Sequence, residues 1–143
     1  MPVIKLKKFQ KKSGKGKYYF GTGRRKSATA RVRIISGKGD IIINEKKPEE
    51  YFDSKFLIEL ILSPLKLVGL EKKLDISVLV AGGGKNAQAE AILLGLSRAL
   101  ISYKSDLKTT LKKSGFLTQD AREKERKKPG LKRARKAPQW QKR

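Results

Sequence analysis

Ala30, Val32 and Ile34 alternate with Arg31 and Arg33. A period of two predicts a strand with one buried face and one basic, outward face. Ser36-Gly37-Lys38-Gly39-Asp40 is turn chemistry, and Ile41-Ile42-Ile43 follows as the returning strand. Upstream, Tyr18-Tyr19-Phe20 is strand-prone and runs into Gly21-Thr22-Gly23. Pro48 with Glu49 and Glu50 predicts a helix start, with acids at the positive end of the dipole. Phe56/Leu60 and Leu57/Ile61 keep a helical face until Ser63-Pro64, where the residue before proline predicts an interruption. Leu74, Ile76, Val78 and Val80 alternate again as a strand. Gly82, Gly83 and Gly84 then turn the chain into residues 85–104, where Ile92, Leu96, Ala99, Leu100 and Tyr103 mark the buried side of a long helix. Strand, strand, strand, helix, strand, helix implies a two-layer α/β sandwich with the helices on one face of the sheet.

Charge changes this picture by dividing the chain. It has 143 residues, 36 Lys and Arg, 13 Asp and Glu and a formal net charge of +23. Residues 1–17 carry seven Lys and no acid, and residues 105–143 carry 14 basic and 4 acidic groups. Residues 18–104 hold most of the aliphatic side chains. We therefore expect a basic amino-terminal arm over 1–17, a globular domain over 18–104, and a short helix with an extended basic tail over 105–143. The middle segment is long enough to bury roughly 60–65% of the surface of its unfolded chain. Residues 7–17 and 127–143 are too charged and too poor in aliphatics to offset the entropy of ordering.

Composition also excludes chemistry. The absence of Cys and His removes disulfides, thiol nucleophiles, zinc fingers and haem ligation. No apolar run reaches the 18 or so residues of a membrane span, and the opening Met1-Pro2-Val3-Ile4-Lys5 lacks the apolar stretch of a signal peptide. No cofactor, metal or membrane partner is expected. Gly82-Gly83-Gly84-Lys85 between strand and helix has the layout of a phosphate-binding loop, but Leu79 and Asn86 stand where that motif needs Gly and a hydroxyl. A small nucleotide-dependent enzyme is thus disfavoured. The turn itself serves either close helix–strand packing or a phosphate contact by the helix start and Lys85. Gly21-Thr22-Gly23 begins like a dinucleotide fingerprint, and Lys26 breaks it. Glu49, Glu50 and Asp53 are ordinary for a helix start.

A polyanion partner is what so basic a chain calls for. Gly23-Arg24-Arg25-Lys26-Ser27 sets three cations beside glycines, which would let a phosphate backbone approach closely. Arg31 and Arg33 extend the patch along one strand face. Residues 127–143 hold eight cations, no acid, Pro129, Pro138 and Trp140, and fully extended they reach about 55–60 Å. A free DNA-binding module or a polybasic membrane-surface arm shares this charge; the arm would want an amphipathic face or a lipidation site, and neither is found.

Four collinear blocks narrow the choice. FGTGRRKSATARVRI (20–34), GDIIINEKKPEEYF (39–52), VAGGGKNAQAEAILLGLSRAL (80–100) and GFLTQDAREKERKKPGLKRARKAPQWQKR (115–143) resemble the small-subunit ribosomal protein nine family of bacterial type. The resemblance runs from about Tyr18 to Arg143. It implies a four-stranded two-layer α/β domain of the ribosomal left-handed β-α-β type. It also implies binding to the 3′ domain of small-subunit ribosomal RNA, in the head and beside other head proteins. The candidate ribosomal RNA contacts are then Arg24, Arg25, Lys26, Arg31, Arg33 and Lys85, with Arg122, Arg126, Lys127, Lys128, Lys132, Arg133, Arg135 and Lys136 from the tail. It further implies that Lys142 and Arg143 approach the transfer RNA of the peptidyl site. The implied setting is the ribosome of a bacterial cytoplasm or a plastid stroma. Leu93 and Gln119 stand where the resemblance leads to an expectation of Arg, Glu45 where Gly is common, and Trp140-Gln141 where Phe-Ser is common.

Overall fold

A computed structural model describes residues 18–142; the arm over 1–17 and Arg143 lie outside the described residues. The strands are β1 (Tyr19–Arg25), β2 (Ala28–Ser36), β3 (Ile41–Ile43) and β4 (Leu74–Ala81). The helices are α1 (Pro48–Tyr51), α2 (Lys55–Val68), α3 (Lys85–Tyr103) and α4 (Leu107–Lys113). They form one mixed sheet in the order β1-β2-β4-β3, antiparallel except for the parallel pair of β3 with β4. The two-layer α/β architecture expected from the patterning is the one observed.

Period-two alternation sorts the sheet into two faces. Ala28, Ala30, Val32 and Ile34 of β2 and Leu74, Ile76, Val78 and Val80 of β4 point into the core, where Ile92, Leu96, Ala99 and Leu100 of α3 meet them. The approach of α3 to β1 is close, and glycine makes it possible. A Cβ at Gly21 would stand 2.2 Å from the carbonyl oxygen of Gly95, and one at Gly23 would stand 1.9 Å from that of Ala91. These glycines admit a helix backbone, not the phosphate backbone expected of them. The outer edge of β1 is occupied as well. Arg98 donates to the carbonyl of Thr22 at 2.7 Å and Ser102 to that of Phe20 at 3.4 Å, so this edge is not left open to another strand.

The expected break at Ser63-Pro64 does not occur. α2 runs through Pro64 to Val68 and ends at Gly69, at φ 66°, whose N–H bonds back to Lys66 and Leu65. Proline forfeits one helical hydrogen bond, but Leu57, Ile61, Pro64 and Leu65 all lie buried on one side of the helix. Burial of that face outweighs the single lost bond. The Ser63 hydroxyl donates to the carbonyl of Glu59, one turn back.

Asp75 and Asn44 shape the turns that flank β3. One Asp75 carboxylate oxygen accepts the N–H groups of Lys38, Gly39 and Asp40, at 2.7, 3.0 and 3.2 Å. Asn44 exchanges two hydrogen bonds with the backbone of Val80, at 2.8 and 2.9 Å, prolonging the β3–β4 ladder with a side chain. The core also continues beyond residue 104. Leu111 of α4 is fully buried, and Phe116 and Leu117 pack against the same cluster.

Candidate nucleic-acid interface

The face of the sheet turned away from the helices carries Phe20, Thr22 and Arg24 from β1, Thr29, Arg31 and Arg33 from β2, and Ser77 and Leu79 from β4. Register sets them in rows: Phe20 lies opposite Arg33 and Arg33 opposite Ser77; Thr22 lies opposite Arg31 and Arg31 opposite Leu79; Arg24 lies opposite Thr29. Arg24, Arg31 and Arg33 are exposed. Lys26 projects from the β1–β2 turn at φ 49°. Among the described residues no carboxylate comes within ion-pair distance of these four cations. Uncompensated like charges on one open face form a surface of positive potential.

Arg25 belongs elsewhere. Successive strand residues face opposite ways, so Arg25 turns toward the helix layer while Arg24 faces out. Its side chain is 12% exposed and pairs with Glu90 of α3 and with Asp120 at 2.9 Å. It also donates to the carbonyls of Arg122 at 2.6 Å and Asp120 at 3.3 Å. Within the protein the Arg25 donors are thus engaged by Glu90, Asp120 and the Arg122 carbonyl, where they fasten the start of the tail to α3. Asp120 is held below the usual carboxylate range. Hydrogen bonds from the Arg122 side chain and backbone act most strongly, and the charges of Arg122 and Arg25 add to them. The same interaction raises Arg122.

Lys85 is also diverted. Its ammonium donates to the carbonyl of Tyr51 at 2.6 Å and sits 3.8 Å from the centre of the Tyr51 ring. It ties α3 to α1 and remains exposed at the helix start. The Gly82–Gly84 turn serves packing: at φ 75° and 64°, Gly82 and Gly83 press against Ser27 and Ala28. The acids Glu49 and Glu50 stand in the first turn of α1, as expected. Among the described residues no group of carboxylates is placed to hold a metal ion, and no helix is long and apolar enough to cross a membrane.

The tail is divided in the same manner. Glu125 pairs with Arg135 at 2.8 Å and with Lys128 at 3.0 Å, and Arg122 with Asp120 at 2.8 Å. The N–H of Lys132 donates to the carbonyl of Lys136 at 2.7 Å. The segment is thus looped over 132–136, where full extension was expected. No such ion pair engages Arg126, Lys127, Lys132, Arg133, Lys136 or Lys142 among the described residues, and Trp140 is 79% exposed. Leu93 and Gln119, the two positions expected to hold Arg, line one crevice with Arg24, Arg25, Glu90 and Asp120, so both departures fall at one place.

Sequence reasoning passed over two features. One is the clamp of Glu90 and Asp120 on Arg25, for which the parity of Arg24 and Arg25 along β1 was the available signal. The other is the apolar share of the open face: Tyr18, Phe20 and Leu79 are 50%, 46% and 51% exposed. Their spacing, in step with Arg31 and Arg33, places them there.

Comparison with known proteins bears on the whole of this arrangement. A family profile described as ribosomal protein S9/S16 matches residues 23–143. The small ribosomal subunit protein uS9 of Ureaplasma parvum serovar 3 is 50% identical over 125 residues, which cover 87% of this chain and 94% of that protein. Its namesake from Ureaplasma urealyticum serovar 10 is 51% identical over the same span. The chain belongs to the ribosomal protein S9/S16 family, and like that family it is a structural protein and not an enzyme.

Proposed function

We propose that this chain is a constituent of the small ribosomal subunit that binds ribosomal RNA in the head through its open sheet face and its tail. The observation that carries the reading is the set of Arg24, Arg31 and Arg33, with Lys26 at its end, exposed on the outer sheet face with no carboxylate within ion-pair distance among the described residues. The mechanism is neutralisation and positioning. Phosphate contacts from these cations fix the domain on folded RNA, and Arg126, Lys127, Lys132, Arg133 and Lys136 carry positive charge into electronegative channels. Lys128 and Arg135 join them by exchanging the exposed Glu125 for phosphates, and Arg122 by exchanging the half-buried Asp120. The relatives are bacterial, which favours a bacterial cytoplasmic ribosome over a plastid one. At the tail tip, Lys142 and Arg143 reach toward the peptidyl-site transfer RNA; that reading rests on the family resemblance.

Salt dependence tests the domain surface. Each phosphate neutralised by the protein contributes about 0.7–0.9 to the slope of log affinity against log salt. Replacing Arg24, Lys26, Arg31 and Arg33 together by Ala should flatten the slope for a small-subunit ribosomal RNA transcript by about three to three and a half. Arg25→Ala should leave the direct slope of this face nearly unchanged. An unaltered slope in the fourfold variant counts decisively against the interface.

A further inference from the structure

We infer that the open sheet face receives an unpaired RNA base as well as phosphates, with Phe20 and Tyr18 as the stacking platform and Arg33 as its cationic wall. The inference deepens the RNA-binding reading and rests on it. Phosphate binding alone gives no reason for rings on this face. Single exposed apolar residues are ordinary on any surface, but Tyr18, Phe20 and Leu79 are each about half exposed and gather among the cations. Phe20 is the direct cross-strand neighbour of Arg33. The Arg33 guanidinium lies 5.4 Å from the centre of the Tyr18 ring. Tyr18 and Phe20 are two residues apart and share one side of the chain.

Their partner should be polyanionic, because no carboxylate among the described residues comes within ion-pair distance of Arg24, Arg31 or Arg33. It must also present a flat apolar surface to the rings. An unpaired nucleotide meets both demands. Paired bases in an A-form helix are shielded from side chains, whereas splayed bases stack on aromatic rings and on guanidinium planes. An apolar protein strand would satisfy the rings and leave the arginines unmatched. A shallow depression bounded by Arg31, Leu79 and Asn44 lies two strands from β1 on the same face and offers room for the neighbouring nucleotide.

The test uses the full chain and a small-subunit ribosomal RNA transcript. Phe20→Leu keeps the charge and most of the apolar surface and removes the ring. It should weaken binding about five- to tenfold with an unchanged salt slope, since stacking releases no counterions. As a direct reporter, Phe20→Trp in a Trp140→Phe background should lose fluorescence on adding the transcript and keep it on adding a fully paired RNA duplex. Unchanged affinity of the Phe20→Leu chain, or an indole fluorescence indifferent to the transcript, overturns the platform, as does equal quenching by the duplex. If the Arg variants still flatten the salt slope in that case, RNA binding stands and stacking alone falls. If the wild-type chain fails to bind the transcript, both readings fall together.

Discussion

At the scale of single residues, Glu45 shows most plainly how a family habit and a backbone angle coincide. Asn44 and Glu45 join Ile43 to Lys46, which exchange two backbone hydrogen bonds of 2.8 and 2.9 Å. Both central residues have positive φ, 45° and 66°. A tight turn of this kind favours Asn followed by Gly, because a Cβ in the left-handed region crowds the backbone. Glu45 supplies the Cβ. Glu45→Gly should therefore raise stability by about 0.5–1 kcal/mol, the relief of strain being partly offset by the freer unfolded chain. Urea unfolding reads the difference directly, and a loss of stability contradicts it. The family resemblance marks the turn as unusual at Glu45. Nothing in the sequence hints at Asp75, because a carboxylate that gathers three N–H groups from a loop over thirty residues away leaves no local pattern.

Elements were legible where one face is buried and the other wet. β2 and β4 keep strict alternation because water lies on their outer side, and this is the condition under which period two appears. α2 departs from its local signal at Pro64, where local chemistry favours a stop and tertiary burial overrides it. Arg24 and Arg25 show the same limit within the site. Composition sees two adjacent cations, while the pleat sends one to solvent and the other to Glu90 and Asp120. The clamp has a measurable consequence. The carbonyl of Arg122, at the bond trypsin would cut, accepts a hydrogen bond from Arg25. Trypsin should trim the wild-type chain back to Lys124 and spare the Arg122–Glu123 bond. In Arg25→Ala that bond should open, with a stability loss of about 2 kcal/mol for the charge-assisted bonds removed. Arg25→Lys should restore only part of the protection, since lysine lacks the fork. The pH response follows from the depressed Asp120. A carboxyl whose pKa is lower when folded stabilises above its unfolded value near 4, and that contribution is lost as pH falls toward the folded value. Trypsin protection should be flat from about pH 5 to 8, and in stronger acid, where trypsin is inactive, the loss should appear as faster amide hydrogen exchange at Glu123. A midpoint near neutrality would exclude Asp120 as the controlling group.

The whole molecule joins a packed domain to a tail whose charges are only partly neutralised from within. Residues 132–136 are looped and Glu125 holds Arg135 and Lys128, so the tail is shorter here than its contour. Those pairs are weak restraints. Arg135 is 85% exposed and Lys128 54% exposed, and exposed pairs are worth about 0–1 kcal/mol each. Closely spaced phosphates outcompete a single exposed carboxylate, so binding to RNA should straighten the loop and restore the reach of about 55–60 Å for residues 127–143. Pro129 and Pro138 keep the opened chain from coiling into a helix. A tail of that length, anchored at Asp120 and aromatic at Trp140, can carry its terminal pair of cations well beyond the domain. Lys142 and Arg143 would each add about 1 kcal/mol or less to transfer RNA held in the peptidyl site, since the tip is wet and screened by salt. Deleting both should speed transfer RNA dissociation from purified small subunits several-fold, and should leave subunit assembly intact. The comparison is made over a range of salt, because an ionic contact must weaken as salt rises. Equal dissociation rates at every salt concentration would exclude the contact. Failure of the subunits to assemble would place the terminal residues in the architecture of the head instead.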